Sequence, residues 1–171
     1  MPPSYLRHPH VHGETLVLVA EDDLWTAPVG GGRAYRLNPD GVPVARPRIS
    51  PDGALVAWTS TREGAPEVFV TEVEGGAARR LTWWGDHTTK LVGWTPEGEV
   101  LAASAAGQPS RRHPWAYAIP ASGGTPPPTT THPDQHGVLW VPDHPDGSAG
   151  GVTLVVGNDG GVYKQHAASG E

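Results

Sequence analysis

A repeat of about 45 residues constrains this 171-residue chain more than any other feature. Its clearest copy is Ile49–Thr82, ISPDGALVAWTSTREGAPEVFVTEVEGGAARRLT. An SPDG turn at Ser50–Gly53 leads into an apolar run, Leu55–Ser60. A polar turn with Gly64 and Pro66 is followed by a second run, Glu67–Val73, a Gly75–Gly76 turn and a short exit strand at Arg79–Thr82. Gly and Pro number 23 and 19, a level at which low-complexity disorder competes with folding. They sit between the apolar runs, where turns belong, so a turn-rich all-β chain is the better reading.

Three further stretches repeat parts of that copy. Gly13–Leu37 lies on Gly53–Leu81, with Leu16–Val19 on Val56–Thr59, Leu24–Trp25 on Val68–Phe69 and Arg36–Leu37 on Arg80–Leu81; the intervening turn is four residues shorter. Loop-length variation of that kind is what a repeat fold tolerates. A third copy starts at Thr95–Gly98 (TPEG), 45 residues after SPDG, and continues through Val100–Ala103 and Trp115–Ile119 to Ser122-Gly123-Gly124; its Gly107–Pro114 turn carries Arg111 and Arg112. The fourth, Val152–Gly170, aligns on the first without a gap at a shift of 138 residues, close to three periods. Thr153, Leu154 and Val155 fall on Thr15, Leu16 and Val17, and Val162 and Tyr163 fall on Leu24 and Trp25.

Strands and turns at such a period, with no 3.6-residue periodicity, predict β-propeller blades. One four-stranded sheet cannot cover both its faces, so blades stack and each buries its neighbour's apolar side. The expected fold is all-β: a partial or small propeller of about four blades of roughly 45 residues. Four blades is the low end of the known range, and a truncated propeller would present an open edge that favours self-association.

Composition narrows the function. Net charge is −6 with 12 basic residues and no Lys/Arg stripe along the sequence, which argues against nucleic acid as a partner. Cysteine is absent, so disulfides and thiolate metal sites are excluded. The opening MPPSYLRHPHVHGE has no apolar stretch of signal-peptide length, and no run approaches a membrane span. The expectation is a cytoplasmic protein with no membrane partner.

The first 125 residues resemble the N-terminal propeller of tricorn-type serine proteases. The carriers are HPHVHGETLVLVAEDDLWTAPVGGGRAYRLN, ISPDGALVAWTSTREG and GGAARRLTWW. The SPDG and GG..RRLT pattern alone also resembles the widespread TolB-type repeat. The resemblance implies a cytoplasmic serine peptidase in which propellers filter or channel peptides and a separate domain catalyses. It leaves the chain as a noncatalytic peptide-binding or gating segment with no family catalytic residue to carry over. The tail, HPDQHGVLWVPDHPDGSAGGVTLVVGNDGGVYKQ, looks more like a sialidase- or sortilin-type repeat. The expected organisation is therefore residues 1–125 as tricorn-like blades, 126–136 as a Pro/Thr-rich loop or junction, and 137–171 as a further blade. The alternatives are a fragment of a sialidase- or sortilin-like glycoside-hydrolase propeller and a TolB-like adaptor that binds a protein.

No residue is assigned a catalytic, cofactor-binding or metal-binding role, and no cofactor is expected. His8, His10 and His12 alternate, so an extended strand would turn all three to one face, where imidazoles can ligate a metal. The spacing supplies no carboxylate partner, and an exposed His-rich strand is the simpler account. His132, Asp134, His136 and His144 read as loop residues. Glu21-Asp22-Asp23 reads as an acidic turn, with Asp159 at the matching place in the fourth copy. Trp83, Trp84 and Trp94 could stack a peptide or sugar, although large aromatics between blades belong more often to the core. No GxSxG elbow, Walker-type loop or HExxH is present.

Overall fold

Alternation along the run Leu55–Ser60 decides the architecture. Leu55, Ala57 and Thr59 lie on one face of this strand and Val56, Trp58 and Ser60 on the other, and all but Leu55 are buried. Both faces therefore need a neighbour. In a computed structural model of the chain, residues 5–39, 41–108, 113–123, 135–142, 152–158 and 161–166 are described, the last three segments by their backbone pairing. They form four antiparallel sheets. Among the described residues there is no helix, and hence none long and apolar enough to cross a membrane.

The first blade contains β1 (Leu6–His12), β2 (Thr15–Ala20), β3 (Asp23–Pro28) and β4 (Tyr35–Asn38), hydrogen-bonded in that order. The second contains β5 (Val44–Ile49), β6 (Leu55–Ser60), β7 (Glu67–Glu72) and β8 (Arg79–Arg80), again in order. In the third, β10 (Val100–Ser104) lies between β9 (Lys90–Trp94) and β11 (Trp115–Ile119). The fourth pairs β12 (Gln135–Pro142) with β13 (Val152–Asn158) and β13 with β14 (Gly161–His166). The 138-residue shift carries β2 and β3 onto β13 and β14, as the repeat requires.

Two cores lie between blades. Val17, Val19 and Leu24 of the first blade meet Val44, Ile49, Val56, Trp58 and Phe69 of the second. On the opposite face Ala57, Val68, Val70 and Leu81 meet Leu91, Trp94, Val100, Ala102, Tyr117 and Ile119 of the third. Trp58 and Phe69 stack with centroids 6.1 Å apart. The second blade thus lends alternate residues to two different neighbours, the radial burial expected of a propeller.

Turn chemistry follows the repeat. In SPDG the Gly53 N–H donates to Ser50 O (2.9 Å), and Asp52 Oδ1 accepts from Ser50 Oγ and Ala54 N. Those bonds hold the Asp52 carboxyl below its ordinary range, the Ser50 hydroxyl contributing most. TPEG repeats the geometry, with Gly98 N donating to Thr95 O (3.0 Å). Gly53 and Gly98 have φ of 77° and 84°, a region that glycine enters without strain.

The innermost strands depart from the expectation. The sequence reading opened the central unit at Ile49, but β5 precedes it, running from Val44 across Pro47. Pro is tolerated there because a bulge removes the ladder bond it could not make. The acidic triplet also divides. Glu21 and Asp22 (φ 50° and 65°) make a two-residue hairpin turn, whereas Asp23 begins β3 and is buried.

Candidate functional site

The strands that open the first three blades, β1, β5 and β9, bring together a group of basic side chains. Their geometry comes from a repeated irregularity. In β1, Arg7 pairs with Val19 and His10 with Val17, leaving His8 and Pro9 opposite a single residue. In β5, Ala45 pairs with Thr59 and Arg48 with Ala57, leaving Arg46 and Pro47 in the same position. His8 and Arg46 take left-handed φ angles of 51° and 56°. Such a backbone costs of order 1 kcal/mol and is retained only where its surroundings over-determine it.

The bulge corrects the expectation of three histidines on one face. His10 and His12 share the face of Val17 and Thr15, while His8 is shifted out of the alternation by the extra residue. Among the described residues no grouping of His, Asp and Glu could hold a metal ion.

What the bulges assemble instead is a positive rim. Arg7 and Asp22 are 2.5 Å apart. His8 and Arg46 are exposed, and His10 and Arg48 are half-buried. Burial, then Arg46, Arg7 and Arg48 in that order, hold His8 below the ordinary histidine value. Burial, then Arg48 and His12, do the same to His10, whose Nδ1 accepts the Ile49 N–H at 3.1 Å across the blade junction. Burial and Arg46 lower Arg48. The Trp94 indole N–H donates to Arg48 O (2.9 Å), and Leu91 N donates to Thr59 Oγ1 (2.8 Å), linking the second blade to the third. A cleft of about 290 Å³ opens at this rim among the first three blades. A second, of about 520 Å³, lies between the outer strands of the first two blades, with Glu14, Tyr35 and Glu74 on its walls.

The aromatic candidates separate by burial. Trp94 is core, as expected, and Trp84 sits against Tyr117 with centroids 4.9 Å apart. Trp83 is 68% exposed, its ring under the Arg80 guanidinium at 5.2 Å. Within the described residues, Ser50, Ser60 and Ser104 bond to backbone groups, Asp52 or Thr89, and none has a histidine partner. His136 lies on β12. Arg111, Arg112, His132, Asp134, His144 and Asp159 lie outside the described residues.

Two buried carboxylates have roles that their sequence positions do not signal. Glu67, fully buried, accepts from Arg80 Nη2 (3.1 Å), Gly85 N (2.8 Å) and the Thr82 hydroxyl. Asp23 accepts from Arg36 Nη1 and Gly41 N, both at 3.0 Å. They occupy equivalent positions, the first residue of β3 and of β7, and tie the outer strand and following loop to the sheet.

Comparison with known proteins decides the family. The family model for the tricorn protease N-terminal beta propeller domain matches residues 3–156. The chain belongs to that family. Tricorn protease homolog 1 of Streptomyces coelicolor is 60% identical over 131 residues, covering 77% of this chain and 12% of that protein. The crystal structure of the tricorn protease superposes with a TM-score of 0.75 at 21% identity, over 98% of this chain and 19% of that one. A putative TolB from Agrobacterium tumefaciens gives 0.69 at 20% identity, over 96% of this chain and 58% of its own. These two establish the propeller fold. This tricorn-family propeller segment spans a small part of its full-length relatives.

Proposed function

We propose that this chain is a noncatalytic segment that binds or gates peptides, with proteolysis carried out by residues of a tricorn-type serine protease that lie outside it. The family match over residues 3–156 carries the reading. The innermost strands support it by presenting charged and polar groups rather than a nucleophile and base. The division into residues 1–125, 126–136 and 137–171 belongs to the same proposal; a single series of blades is supported by the family match, which crosses both limits. A cytoplasmic setting is likewise proposed, on the family resemblance.

The test incubates the purified chain with fluorescent unstructured peptides, read by anisotropy and by mass spectrometry. Saturable binding with intact peptide is the expected result. Peptide cleavage by the chain alone, or no binding to any of a varied peptide set, would overturn the proposal.

A further inference from the structure

The rim cleft draws on three blades. Arg7 and His8 reach it from β1, Arg46 from β5, and Lys90 from the start of β9. Thr59 and Ser60 at the end of β6 form its floor and are only 6% and 1% exposed. Among the described residues no carboxylate lines the cleft. Asp22 engages Arg7, and no ion pair to a described carboxylate involves His8, Arg46 or Lys90. Thr59 Oγ1 accepts from Leu91 N and Ser60 Oγ from Arg62 N (3.2 Å), on opposite faces of β6, so the floor is a closed polar surface and the cations are the groups free to meet a ligand.

Two permanent cations and one titratable imidazole around about 290 Å³ suit a compact anion with several oxygens. Two permanent charges with no described carboxylate paired to them match a dianion better than a single carboxylate. The like charges also repel one another, and an anion would relieve that repulsion. We propose that this cleft binds a dianionic oxyanion, as free phosphate or as a phosphoryl group of a small molecule, held by Arg46, Lys90 and His8. Because the ligand touches three consecutive blades, its binding stabilises their junction. This site is independent of the peptide-binding reading and stands or falls without it.

The test titrates the 171-residue chain with potassium phosphate, phosphoserine or acetate at fixed ionic strength by calorimetry, with thermal melting alongside. One saturable phosphate site and a rise in melting temperature are expected. Arg46→Gln and Lys90→Gln should each weaken binding about tenfold, or roughly 1.4 kcal/mol. Arg33→Gln removes the same charge beside Tyr35 and should change nothing. Tighter phosphoserine than phosphate assigns the site to a phosphoryl ester, and the reverse assigns it to the free ion.

Sulfate, which stays doubly charged from pH 7.5 to 5.5, isolates the histidine. His8 is faced by Arg7 on its own strand, Arg46 and Arg48 on β5 and Lys90 on β9, with Asp22 paired to Arg7. Sulfate should bind more tightly as His8 gains its proton, and His8→Asn, which tolerates the left-handed backbone, should remove that dependence. Three outcomes overturn the site: no saturable binding, equal losses in Arg33→Gln and Arg46→Gln, or acetate binding as tightly as phosphate.

Discussion

The first and second blades share one template and differ in how much of it is buried. Val17 and Val19 of β2 are inaccessible, but Leu16 and Leu18 on its other face are only half-buried, as is Trp25 beside them. In β6 every residue from Val56 to Ser60 is buried, because the first blade covers one face and the third covers the other. The strand pattern is the same; the neighbours differ. The carboxylate locks show the same gradient. Glu67 has an arginine, a backbone N–H and the Thr82 hydroxyl, whereas Asp23 has an arginine and a backbone N–H, with Asn38 where the second blade has Thr82. A blade's stability is therefore a property of its two junctions rather than of its own strands.

Substitutions at matched positions break this comparison most sharply. Trp58→Ala removes a fully buried ring from the first junction and should cost about 3–5 kcal/mol by urea denaturation. Leu18→Ala, on the half-buried face of the first blade, should cost about 1 kcal/mol. Similar losses at both sites would show that this face of the first blade is as well covered as the matching face of the second. Next come the locks. Glu67→Ala leaves Arg80, Thr82 and Gly85 without their shared acceptor and should cost roughly 3 kcal/mol. Asp23→Ala, whose partner Arg36 is half exposed, should cost about half as much. Equal losses would remove the gradient.

Acidity probes the junction itself. His10 accepts the Ile49 N–H through an unprotonated Nδ1, and its value lies below the ordinary 6.5. The unfolded chain therefore takes up a proton before the folded one does. The stabilisation is complete above pH 6.5 and is lost as pH falls below it towards the folded value. His8 contributes with the same sign. Melting temperature should fall with pH in that window, and the slope should shrink in His10→Gln and shrink further when His8→Asn is added. A double variant with an unchanged slope would place the titrating groups elsewhere.

The smallest effect separates the two inner turns. Gly53→Ala meets both a φ of 77° and the His12 ring, 3.1 Å from the added carbon, and should cost about 1–2 kcal/mol. Gly13→Ala, with φ of 54° and nothing within 4 Å, carries the backbone strain alone and should cost about 1 kcal/mol.

The parts of this fold that the sequence revealed are those with local causes. SPDG and TPEG announce their turns because glycine is needed at positive φ two residues after proline, and the runs between them are long enough to read as buried strands. The innermost strands were obscured by Pro9 and Pro47, which look like breakers until the bulge that accommodates them is known. The same bulges cancelled the regular alternation on which the His8, His10 and His12 expectation rested. Asp23 reads as a turn residue and Glu67 only as the start of a run, because the groups that justify burying their carboxylates lie 13 to 18 positions away. The rim cleft had no linear signature at all. Arg7, Arg46 and Lys90 are separated by entire blades and become neighbours only when the innermost strands are drawn together.

Residue-resolved native-state hydrogen exchange tests the central claim, that each blade draws its stability from the blades on either side. Amides of β6 and β7 should exchange most slowly, those of β2 and β3 measurably faster, despite the matching patterns of the two hairpins. Exchange from β2 and β3 as slow as from β6 and β7 would contradict it.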